Sequence, residues 1–113
     1  MDYNNIEFRI STVIDENGFA EIYFEQIGGW DEFDLIIGLL QQENNCQILN
    51  NQELIYIRVA TLRLNNMEFV VKHDDMLGTF LYTENPQDVE TLERLANNVI
   101  VSIKDRLKQE QQK

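Results

Sequence analysis

Bases are scarce in this chain, and so are cysteine, histidine and proline. Nine Lys and Arg stand against twenty Asp and Glu in 113 residues, giving a net charge of −11 and a pI near 4.3. A protein that binds nucleic acid needs a basic surface to neutralise phosphates, so this balance argues against that class, and it disfavours docking on anionic lipid. The single cysteine, Cys46, rules out an intramolecular disulfide and fits a reducing compartment. No apolar run approaches the roughly 20 residues needed to span a bilayer. The opening Met-Asp-Tyr-Asn-Asn lacks the basic start and apolar core of a signal peptide. The sequence therefore implies a cytoplasmic protein.

Catalytic and metal signatures are also lacking. His73 is the only histidine, and beside Asp74 and Asp75 it has no third ligand at a metal-site spacing. It reads as a strand-end residue before a polar turn. Cys46 has no partner of the kind a catalytic dyad requires and reads as a partly buried free thiol. Phosphate-binding and dinucleotide glycine patterns and the Gly-x-Ser-x-Gly elbow do not occur. Asp15-Glu16-Asn17-Gly18 lacks the twelve-position ligand pattern of a calcium loop and reads as a hairpin turn. The expectation is a protein that is not an enzyme and carries no cofactor and no metal.

The chain length predicts one domain over residues 1–113. Ile6, Phe8, Ile10, Thr12 and Ile14 alternate with polar residues, as in a half-buried strand, and Asn17-Gly18 then signals a hairpin. Ala20, Ile22 and Phe24 alternate through the next strand, which Gly28-Gly29 breaks. Asp31 is placed to cap a helix whose apolar stripe is Phe33, Ile36, Ile37 and Leu40. Residues 46–53 read as a connector with room for a short edge strand at Gln47-Ile48-Leu49. Leu54–Leu64 reads as a long central strand covered on both faces. Asn65-Asn66 turns into a strand over 67–73, and Asp74-Asp75 turns into a last strand over 77–83. Asn85-Pro86 then starts a helix with a stripe from Val89 to Leu107, and the polar tail from Gln109 to Lys113 should fray. The order β-β-α-β-β-β-α predicts a two-layer α+β domain, an antiparallel sheet of about five strands with both helices on one face.

Charge is unevenly placed along this layout. Residues 1–57 hold eleven acids and one base, Arg9, and residues 10–57 hold no base at all. Helix capping and the helix dipole favour acids at Asp31, Glu32 and Asp34, and solubility alone could account for the rest. Glu21 and Glu25 lie just upstream, however, with Tyr23 and Trp30 interleaved. Carboxylates around an aromatic suit an interface for a basic partner, the aromatic anchoring and the charges steering encounter. The candidate partner-binding residues are thus Asp15, Glu16, Glu21, Tyr23, Glu25, Trp30, Asp31, Glu32 and Asp34.

In charge and layout the whole chain resembles the small acidic immunity proteins that bacteria pair with contact-dependent and other polymorphic toxins. The resemblance implies a non-enzymatic inhibitor that binds one basic toxin or effector domain, such as a nuclease, as a monomer or weak homodimer. Size, pI and α+β content also resemble the acidic chaperones of type III secretion, although those usually begin with a helix. That second likeness implies an adaptor that holds a partner segment.

Overall fold

The computed structural model describes residues 7–111. Ile6 of the expected first strand, the opening five residues and the last two of the polar tail lie outside the described residues. Among the described residues, six strands form one antiparallel sheet: β1 Arg9–Ile14, β2 Ala20–Glu25, β3 Gln47–Glu53, β4 Ile57–Leu64, β5 Met67–Asp74 and β6 Gly78–Thr83. Helix α1, Glu32–Glu43, joins β2 to β3, and α2, Val89–Gln111, follows β6. The spatial order is β1-β2-β6-β5-β4-β3. This is the expected α+β architecture with one strand more.

Register puts one apolar set under the helices. Ile10 pairs with Phe24 and Thr12 with Ile22, Ile22 with Leu81, Leu81 with Val71, and Val71 with Ala60. This row meets Phe33, Ile36, Leu40, Leu92, Ala96 and Val99 of the helices in a single core. Polar links help fix the helices in place. Thr12 Oγ1 donates to Glu93 of α2 at 2.6 Å, and Ser102 of α2 donates to Glu43 of α1 at 2.7 Å. The Ser102 hydroxyl, and then Arg106, hold the Glu43 carboxyl below its ordinary range. The outer face of the sheet carries Tyr23 against Phe80, ring centroids 4.8 Å apart.

Several local expectations are corrected. The first hairpin turns through Glu16-Asn17-Gly18 with only Gly18 at positive φ, 84°, the three-residue form with a glycine bulge. The connector after α1 is a full edge strand, β3, because it pairs with β4 from Gln47↔Arg63 to Glu53↔Arg58. Leu54–Tyr56 do not belong to β4. Leu54 N–H donates to Ile57 O at 2.8 Å, making Ile55-Tyr56 a two-residue hairpin turn. Strand β4 is next to the edge, not central, and only Arg58, Ala60 and Leu62 of it are buried. Asp31 makes no side-chain cap bond to α1. Pro86–Asp88 form a 3-10 turn, so α2 begins at Val89 and stays helical to Gln111, past the point where the tail was expected to fray.

Candidate docking surface

Antiparallel pairing gathers three connections at one end of the sheet: the β2–α1 loop, the β3–β4 turn and the β5–β6 turn. Two hydrogen bonds join them. Asp75 N–H donates to Tyr56 O at 3.3 Å, and Thr79 Oγ1 donates to Gly28 O at 3.1 Å. The second bond needs close approach. A Cβ on Gly28 would lie 2.8 Å from Phe24 O and 3.1 Å from Thr79 N. Gln26, at φ 75°, helps bend the loop so that Trp30 is delivered over the sheet end.

Trp30 rests on a buried polar floor. Its ring meets His73 edge-on at 5.5 Å, and the Arg58 guanidinium lies between it and Phe33, 5.3 and 4.6 Å from the two centroids. Arg58 Nη2 donates to Asp34 Oδ1 at 2.6 Å and Nη1 to Oδ2 at 3.2 Å. Nη1 also donates to the Trp30 carbonyl at 3.3 Å. His73 Nδ1 stands 2.9 Å from Thr79 Oγ1 and Nε2 3.2 Å from Asp75 Oδ1. The Asp75 carboxylate can only accept, so Nε2 is the donor there, and the Thr79 hydroxyl lies within reach of both Gly28 O and Nδ1. The strand-end histidine is thus a buried brace for the Trp30 loop.

Above this floor the surface is apolar and bare. Ile55 is 83% exposed, Met76 93% and Tyr56 69%, with Leu54 and Leu77 also exposed. Trp30, Glu53 and Leu54–Ile57 line an open cleft of about 830 Å³. The segments 26–34, 53–58 and 74–78 carry six acids, Asp31, Glu32, Asp34, Glu53, Asp74 and Asp75, and one base, Arg58. That base is buried and paired. Bare apolar side chains inside a rim of one charge sign are what a protein-binding site offers.

The nine residues expected from sequence to form one surface are divided among three places. Asp15 and Glu16 sit at the far end, in the β1–β2 turn, where Asp15 Oδ1 accepts the N–H groups of Asn17 and Phe19. Glu21, Tyr23 and Glu25 lie on the outer face of β2, Glu25 in an ion pair with Arg9. Burial, followed by the charges of Glu21 and Asp74, pushes the Tyr23 hydroxyl above its ordinary pKa. Only Trp30, Asp31, Glu32 and Asp34 meet at the gathered loops, and Asp34 is engaged by Arg58. Leu54, Ile55, Tyr56, Met76 and Leu77 were missed. Their signal is two apolar pairs or triplets, each beside an acid and each at the same end of paired strands.

No protein-family model matches the chain, and no curated protein or solved structure matches it. Among the described residues, no helix is long and apolar enough to cross a membrane.

Proposed function

We propose that this protein binds a basic protein partner through the Trp30 end of its sheet and acts as a non-enzymatic inhibitor of the immunity type. The observation that carries the reading is the bare set Leu54, Ile55, Tyr56, Met76 and Leu77 around Trp30, rimmed by carboxylates, with no exposed base in the segments 26–34, 53–58 and 74–78. Apolar anchors at the centre supply affinity by excluding water. The rim acids steer a cationic partner and fix its orientation. Asp34 and Arg58 hold the anchor in shape, while Asp31, Glu32 and Glu53 are left to meet the partner. An inhibitor of this kind needs only to cover its target's working surface.

The same bare apolar set favours one other reading, an acidic chaperone or adaptor that holds an apolar segment. Salt separates the two. With the protein encoded by the adjoining reading frame as partner, association is measured by surface plasmon resonance at low and high salt. For the inhibitor, the on-rate should fall by about 10-fold or more as salt screens the rim. Asp31→Lys/Glu32→Lys/Glu53→Lys should slow association, and Ile55→Asp should speed dissociation. Salt-insensitive association with Ile55→Asp still damaging would support the adaptor. Unaltered binding by both variants would sink the site.

A further inference from the structure

Strand β3 is an edge strand, and Asn50–Glu53 of it are exposed. Natural edges are usually blunted by Lys, Pro or a bulge. This one has a register shift between Ile48 and Asn50, but beyond it, Asn50-Asn51-Gln52-Glu53 carries neither Lys nor Pro. The regular part of the edge runs directly into the cleft that Glu53, Leu54, Ile55 and Trp30 line.

The pairing pattern says which backbone groups are free. Leu54 N–H donates to Ile57 O, so Leu54 and Ile57 are a hydrogen-bonded pair. Bonded and non-bonded pairs alternate along an antiparallel ladder. Gln52↔Val59 is therefore bonded, while Asn51↔Ala60 and Glu53↔Arg58 are non-bonded. The N–H and C=O groups of Asn51 and Glu53 consequently point outward, away from β4. They repeat at the spacing an incoming strand requires.

We infer that the partner contributes an extended segment that adds to the sheet as a strand along Asn50–Glu53, bonding the backbone of Asn51 and Glu53. This rests on the docking reading above and specifies how the partner is held. Strand addition takes affinity from main-chain bonds and specificity from alternate side chains. Side chains that fall beside Glu53 and near the acids of α1 would be Lys or Arg, and the chain beyond them would enter the cleft over Trp30. A second copy of this chain is a poor occupant, since its own net charge is −11.

The test uses the full-length ¹⁵N-labelled protein and two acetylated, amidated peptides of about eight residues, a length typical of strands. Both alternate Lys and Val, and one carries N-methyl groups on alternate residues, so it keeps charge and apolar area but loses one edge of donors. The expected result is that the unmethylated peptide shifts the amide signals of Asn51 and Glu53 and binds about tenfold tighter than its methylated twin, the worth of one or two net hydrogen bonds. Asn51→Pro, which removes an outward N–H and spares the β4 ladder, should lose the same factor without a fall in melting temperature. Equal binding of both peptides with shifts confined to Trp30 and Leu54–Tyr56 overturns strand addition and leaves the docking surface standing. Shifts along β1 instead overturn the choice of edge. Failure of both peptides to bind overturns strand addition and the basic-partner reading together.

Discussion

Arg58 and Asp34 form a two-pronged ion pair in which the burial is one-sided: the arginine side chain is 9% exposed and the aspartate 68%. The guanidinium is taken out of water between Trp30 and Phe33, and its Nε has no hydrogen-bond partner among the described residues. Almost all its compensation comes from one carboxylate and the Trp30 carbonyl. Removing a partner from a buried charge costs far more than an exposed pair is worth. Asp34→Ala is therefore expected to cost about 2–3 kcal/mol in urea unfolding, discounted from the fully buried case because water reaches the aspartate. Asp31→Ala, one turn away without a side-chain bond to the helix end, should stay within about 0.5 kcal/mol.

A second outcome concerns the brace under Trp30. Thr79 Oγ1 donates to Gly28 O and faces His73 Nδ1. Thr79→Val keeps the volume and leaves both partners unsatisfied in a buried place, which costs about 1–3 kcal/mol. Trp30 is the only tryptophan, so its fluorescence reports this loop alone. The variant should show a shifted emission and readier acrylamide quenching while the far-ultraviolet circular dichroism stays unchanged.

The parts of this fold that were legible in sequence are those where one periodicity decides. Ala20, Ile22 and Phe24 alternate against one covered face, and Leu92, Leu95, Ala96, Val99 and Ile103 return at helical spacing. Gln47–Glu53 was not legible as a full strand because an exposed edge has no apolar alternation to show, and only its partner β4 makes it a strand. Missing that pairing also misplaced Leu54–Tyr56. An apolar triplet beside Ile57–Leu64 reads as more of the same strand, whereas the β3 register forces the chain to turn back there. The acid excess of residues 10–57 was plain from the sequence, but its division over three surfaces follows from strand direction. Asp15 and Trp30 lie at opposite ends because β2 runs between them.

Burial pushes the Cys46 thiol up from 9.0 to about 11. A raised acid means the folded state holds its proton to higher pH than the unfolded chain does. Stability from this group is then complete below about pH 9 and is lost as pH climbs toward about 11, since the unfolded thiol ionises first. Urea unfolding at increasing pH should show a steeper decline for the wild type than for Cys46→Ala over that window. At neutral pH the thiol should react with iodoacetamide only at the rate of opening, because the nucleophile is the thiolate.

The last expectation separates apolar residues that hold the fold from those that offer a surface. Leu92 is fully buried near the N-terminal end of the α2 stripe, and Ile55 is the most exposed apolar residue of the β3–β4 turn. Leu92→Ala loses the transfer energy of a branched side chain and leaves a cavity in the core that α2 shares with α1 and the sheet, so it should cost about 2–5 kcal/mol. Ile55→Ala uncovers nothing that was covered. Its hydrophobic contribution to folding is near zero, and stability should stay within about 0.5 kcal/mol of wild type. Thermal unfolding of the two variants side by side reads the first difference. Dye binding reads the second: Ile55→Ala should reduce the fluorescence of a dye that reports bare apolar surface, since it trims the patch. Should Ile55→Ala destabilise the protein as Leu92→Ala does, the β3–β4 turn would be part of the core in solution. The surface around Trp30 would then not be available to a partner.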